Sequence, residues 1–127
     1  MPTFVWIGLG GFLGANARYW VQTWSANRWG TDFPLGTFIA NVTGAFLLAL
    51  FATLMADNLN VRPELRLFVA TGFLGGYTTF SSLGFETWIL LDTKGLSLAV
   101  LNLFGNIVVG ALSIFLGIFI AKLITSS

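Results

Sequence analysis

The sequence predicts an all-α integral membrane protein, one domain over residues 1–127 with four transmembrane helices, the third broken near its middle. Three observations point there. Hydrophobic residues make up 56% of the chain and charged ones 9%, whereas charged residues are about 25% of an ordinary soluble domain. Charges and turn residues divide the chain into apolar segments at about 4–25, 35–56, 66–91 and 97–123, each near the ~20 residues that cross a ~30 Å hydrocarbon core as a helix. Within the third, Gly72, Gly75 and Gly76 precede Thr78, Thr79, Ser81 and Ser82, with Glu86 following. A simple span does not need this set.

Composition also excludes function classes. With no Cys and no His, disulfides, zinc thiolates and thiol catalysis are ruled out, and the commonest general base is missing. No nucleophile and base can be paired, so an enzyme is not expected. The net charge is +1 and no basic cluster exists to follow a phosphate backbone, so nucleic acid is not an expected partner.

The first segment, within MPTFVWIGLGGFLGANARYW, has its arginine after the apolar run. A cleaved signal peptide has the reverse order, so the segment is expected to stay in the mature protein. Gly10 and Gly14 have the spacing that lets helix backbones approach closely in lipid. Arg18 is flanked by Asn16, Tyr19, Trp20 and Trp24. It either snorkels to the headgroups beside an aromatic belt or places a cation at a vestibule that concentrates anions, and the two are compatible. A short link, 27–34, carries Arg28 and Asp32.

The second segment, LGTFIANVTGAFLLALFATLMA, has no charge and one strongly polar group expected at depth, Asn41. Its amide is either interhelical glue, worth about 0.6 kcal/mol on average, or a pore-lining donor to an anion. Thr37, Thr43 and Gly44 are expected to share its face. The next link, 57–64, holds Arg62 and Pro63.

In the third segment each glycine lowers helix propensity by about 1 kcal/mol relative to alanine. Non-helical backbone at membrane depth survives only where protein buries it or a watery cavity receives it. Gly75–Thr79 therefore reads as a break that aims carbonyls and hydroxyls at something polar. Glu86 is the one carboxylate expected inside the membrane. At a cost of about 2.5–3.5 kcal/mol it should face a cavity or partner, unless it lies solvated near the interface. The link 92–95 carries Lys94.

The fourth segment has Ser113, Gly117 and Ala121 at four-residue spacing, a close-packing face. Asn102 and Asn106 also lie four apart, with Gly110 extending the stripe, and fit either a polar track or glue. With four spans, one side would hold Arg62, Arg66 and Lys122, the other Arg28 and Lys94 with Arg18 leaning towards it. Orientation normally follows an excess of Lys and Arg, and here there is almost none. An antiparallel, dual-topology homodimer is expected, with two opposite copies paired about an axis in the membrane plane.

Together GGFLGANARYW, GTFIANVTGAF, TGFLGGYTTFSS and LNLFGNIVVG resemble one family, the Fluc (CrcB) fluoride channels of bacteria and archaea. The likeness covers essentially the whole chain, and GFLGGYTTFSS is its most specific motif. It implies a multi-pass protein of the cell membrane, with two pores per dimer, that exports fluoride passively and so protects against its toxicity. It implies a pore asparagine at Asn41, a Phe-box ring at Phe80, a vestibule arginine at Arg18 and a carboxylate at Glu86 after the break. It also implies a structural sodium ion at the dimer centre, held by backbone carbonyls of Gly75 and Thr78.

The physics suits these roles. A ring edge is electropositive without being a formal charge that would trap an anion. Thr79, Ser81, Ser82 and Asn41 can donate hydrogen bonds to fluoride, while carbonyls suit a hard cation. Binding must replace hydration yet allow release. Two departures stand out. Leu83 occupies the position of the family's second phenylalanine, with Phe85 on a different face, and Asn102 and Asn106 stand where aromatic or hydroxyl residues are usual. A proton-coupled multidrug transporter of similar size would want a glutamate in its first helix, which has Arg18 instead. In a non-catalytic assembly subunit, the polar residues would all be glue.

Overall fold

The computed structural model describes residues 2–57 and 60–126, so part of the expected link at 57–64 lies outside the described residues. Helix α1 spans Thr3–Trp29. It runs beyond the expected 25 because nothing before Gly30 opposes it. Gly30, at φ 85, ends the helix and returns its N–H to the Ala26 carbonyl at 2.8 Å. Helix α2, Leu35–Asp57, starts directly after Pro34, whose fixed φ is preorganised for a helix.

The third segment is composite. A short α3, Pro63–Arg66, has proline in its first turn and passes into a π-helical stretch, Leu67–Leu74. A single turn, α4, Gly75–Tyr77, and then α5, Phe80–Thr93, complete it. Lys94 and Gly95 turn the chain into α6, Leu96–Ser126, both giving their N–H to the Leu90 carbonyl, with Gly95 at φ 108.

Among the described residues, two helices, Leu35–Ala56 and Leu96–Ser126, are long and apolar enough to cross a membrane. Only 22% and 17% of their most apolar windows are buried. In water that much apolar surface would drive aggregation, whereas in hydrocarbon it is solvated. A membrane protein follows. The third segment is divided into elements of at most 14 residues, none of them long enough alone, and α1 carries Asn16, Arg18 and Gln22 among its apolar residues.

The main seams are α2 against α6 and α1 against the π-helical stretch. On α6 a stripe of Ala99, Asn102, Asn106, Gly110, Ser113, Gly117 and Ala121 is buried. A Cβ on Gly117 would lie 2.6 Å from the Phe46 carbonyl oxygen, so glycine is what lets α2 approach. On α1, Gly10 packs on Gly72 and Gly14 on the backbone of Phe73 and Tyr77, while Gly76 lies against Gly11 and Ala15. A Cβ on Gly72 would lie 2.9 Å from the Gly10 Cα, and one on Gly14 would run into the Phe73 carbonyl. The small-residue spacings of the first and fourth segments thus mark close backbone contacts in both main seams.

Two sequence expectations need correction. Gly75 and Gly76 do not begin the interruption: Gly75 has φ −63 and ψ −37, ordinary helix, and a Cβ on Gly76 would lie 2.9 Å from the Gly11 carbonyl oxygen. Gly76 serves packing, and extended backbone is confined to Thr78 and Thr79. Thr43 does not share the face of Thr37, Asn41 and Gly44. It is exposed and turns its hydroxyl back to the Ile39 carbonyl at 2.6 Å, since two residues past Asn41 is over half a helical turn away.

Candidate functional site

Thr78 (φ −86, ψ 156) and Thr79 (φ −152, ψ 125) are extended, a conformation that suits β-branched side chains. Each also closes a helix end. The Thr78 hydroxyl donates to the Leu74 carbonyl at 3.0 Å, and the Thr79 hydroxyl accepts from the Ser82 N–H at 3.1 Å as the N-cap of α5.

The peptide groups that leave the helix still need partners. Asn41 supplies them from α2. Its Oδ1 accepts from the Thr79 N–H at 2.8 Å and its Nδ2 donates to the Thr79 carbonyl at 3.1 Å, so one amide pairs with both sides of a single residue. In an unbroken helix that N–H would go to the Gly75 carbonyl. Its diversion to Asn41 leaves the Gly75 carbonyl oxygen without its helical donor. Gly75 is exposed on the surface of the chain, and Thr78 is half-buried beside it.

Asn41 also donates from Nδ2 to Asn106 Oδ1 at 3.0 Å. Asn106 donates to the Asn102 carbonyl at 2.8 Å and more weakly to its Oδ1 at 3.4 Å. Asn102, 1% exposed, donates to the Thr87 hydroxyl at 2.9 Å, and Thr87 to the Leu83 carbonyl at 2.7 Å. The residues at 41, 102 and 106 are therefore one connected network. Asn102 lies behind it, away from any open surface.

Two concavities flank the first turn of α5. One is an open groove of about 620 Å³ between α2, α5 and α6, to which Asn41, Thr78, Thr79, Phe80, Leu83 and Asn106 contribute. None of the side chains lining it is formally charged. Phe80 is 80% exposed there while Leu83 is buried at 5%, so the two positions of the motif differ in what they present. The other is a pocket of about 560 Å³ at the opposite face, shaped by Gln22, Ser25, Thr37, Ser82, Glu86 and Lys94.

Ser82 and Glu86 therefore line a different concavity from Phe80 and Leu83. Ser81 is exposed, with its hydroxyl 3.3 Å from that of Thr79. Glu86 lies within reach of the Thr37 hydroxyl and of the Arg18 charge, and its Oε1 is buried without a hydrogen-bond partner. Gln22 donates to Thr37 at 3.1 Å and completes that wall. Sequence reasoning missed Gln22, Thr87 and Tyr77, whose hydroxyl meets that of Thr43 at 2.9 Å. Their only signal was being polar within apolar runs.

Comparison with known proteins adds to this geometry. A family model described as "CrcB-like protein, Camphor Resistance (CrcB)" matches residues 5–118. The chain is 41% identical over 123 residues to a protein of Acidobacterium capsulatum named fluoride-specific ion channel FluC, covering 97% of this chain and 98% of that one. It is 40% identical over 118 residues to a Roseiflexus protein of the same name, covering 93% and 95%. A third, from Sorangium cellulosum and again so named, is 40% identical over 122 residues and covers 96% of each.

Proposed function

The chain belongs to the CrcB family of fluoride channels, ion channels and not enzymes, and from that premise we propose that it is a fluoride-selective passive channel of the cell membrane. It exports fluoride from the cytoplasm and so limits fluoride toxicity. The observation that carries the reading is the uncharged groove at the helix gap. There an exposed ring, Phe80, stands beside Thr78, Thr79 and the Asn41 amide. A dehydrating anion can meet the positive ring edge and hydroxyl donors without a cation that would hold it.

In this reading Phe80 and Leu83 form one wall of the pathway. Thr79 and Ser81 supply hydroxyls at the gap, with Asn41 and Asn106 behind them. Ser82 and Glu86, with Thr37, continue the polar lining on the other face of α5, where Arg18 raises the local anion concentration. Phe80 is exposed in the single chain, so the pathway is closed by a second copy, inverted in the membrane, and each dimer has two pores. The third segment is then a transmembrane helix broken at Thr78–Thr79.

The same break suits a structural sodium ion. The carbonyls of Gly75 and Thr78 would hold it where two copies meet, since the Thr79 N–H that would occupy the Gly75 oxygen is given to Asn41. When bound, the ion adds a positive charge that draws carbonyl oxygens of both copies together. The chain's own part is to keep those oxygens out of helical hydrogen bonds.

Liposomes loaded with potassium fluoride, bearing the purified protein and supplied with a potassium ionophore, test the reading, with potassium chloride liposomes alongside. Rapid fluoride release without chloride release is expected. No fluoride release from folded dimers would sink it and turn attention to proton-coupled transport through Glu86.

A further inference from the structure

The network behind the gap has a direction. Asn41 can face Thr79 in only one way, because its Oδ1 must meet the backbone N–H and its Nδ2 the backbone carbonyl. Its remaining N–H therefore points at Asn106, which has to present Oδ1. Asn106 thus turns its own Nδ2 to the Asn102 carbonyl. At the far end Thr87 spends its proton on the Leu83 carbonyl and can only accept from Asn102. Backbone groups at three points dictate every amide orientation, and beyond the donation of Asn41 to the Thr79 carbonyl the side-chain donors run from Asn41 towards Leu83.

We infer that Asn106, Asn102 and Thr87 are positioning residues: they fix the orientation of the Asn41 amide and through it hold the Thr79 peptide in the extended gap. Both N–H groups of Asn41 are spent, one on Thr79 and one on Asn106. An anion in the groove obtains a donor from Asn41 only when one of those bonds is released, and Asn106 resists that release. The relay begins and ends on the third segment, at Thr79 and at Leu83, so it also fixes the first turn of α5, which carries Phe80, against α6. Buried polar chains of this kind rigidify when every member is satisfied and fail as a unit when one is removed.

The flux arm of the test rests on the channel reading, whereas the exchange arm does not. Protein labelled with ¹⁵N-threonine in lipid nanodiscs reports the hydrogen-exchange rate of the Thr79 amide, with Thr23 on α1 as an internal reference. Thr87→Val is near-isosteric and removes the hydroxyl; Thr87→Ser keeps it. Exchange at Thr79 is expected to quicken about fivefold in Thr87→Val and Asn106→Leu, the scale of one net hydrogen bond. It should stay near wild type in Thr87→Ser, with Thr23 unchanged throughout. Fluoride efflux should fall in the first two and return in the third. Unchanged Thr79 exchange in both Thr87→Val and Asn106→Leu would overturn the inference, as would equal quickening at Thr23, which marks general loosening. Absence of fluoride efflux in the wild-type protein would overturn the channel reading and leave the exchange result to stand alone.

Discussion

Asn41 sits 38 positions before the peptide it pairs with and uses both ends of its amide on it. Replacing it leaves a buried N–H and carbonyl unpaired, at about 1–3 kcal/mol each. Asn41→Ala is therefore expected to unfold at a clearly lower SDS fraction and to lose fluoride efflux. Asn41→Asp should not rescue it. The carboxylate restores the acceptor for the Thr79 N–H but sets an oxygen against the Thr79 carbonyl. If the aspartate variant unfolded and conducted like wild type, the pairing would have no energetic weight. Phe80 gives the opposite pattern. Being 80% exposed in the chain, it can be cut to alanine with a stability change within about 0.5 kcal/mol for the subunit fold, while fluoride flux falls steeply. Thermal melting in detergent beside the efflux assay separates the two effects.

At the scale of the element, the glycines sort by what surrounds them. A Cβ at Gly14 would run into the Phe73 carbonyl, whereas at Gly8 nothing lies within 4 Å. Gly14→Ala should part α1 from the third segment and lower the melting temperature in detergent. Gly8→Ala should raise it, by the ~1 kcal/mol that alanine gains over glycine in a helix. The same melting temperature for both would contradict the packing described. These seams were legible in the sequence because four-residue spacing of small residues has one geometric meaning. The extent of the interruption was not. Gly75 and Gly76 invited a break, yet Gly76 is helical because α1 presses on it, and the break falls where Asn41 reaches. The π-helical winding of Leu67–Leu74 left no trace in composition. The site was readable as a set of residue types. That Ser82 and Glu86 line a different concavity from Phe80 and Leu83 depends on the phase of α5, and so on where the helix restarts.

For the whole molecule, the near-equal cationic charge that four spans would place on the two sides of a membrane bears on insertion. The chain has no cysteine, so Ser126→Cys provides a single thiol at the end of α6. With both orientations inserted, a membrane-impermeant maleimide added outside sealed vesicles should label about half of it; labelling of all or none would mean one orientation and rule out the antiparallel dimer. Two Lys residues added to the 27–34 link should shift the labelled fraction far from half and depress fluoride resistance in cells, because unpaired orientations cannot dimerise. The pairing of Asn41 with Thr79 carries one more consequence, for transplantation. A peptide of residues 66–93 placed alone in lipid lacks the amide that claims the Thr79 N–H. That N–H would fall back on the Gly75 carbonyl, and the gap would heal into a continuous rod. Grafting GFLGGYTTFSS onto a foreign helix should therefore carry over the spelling of the break without the break itself.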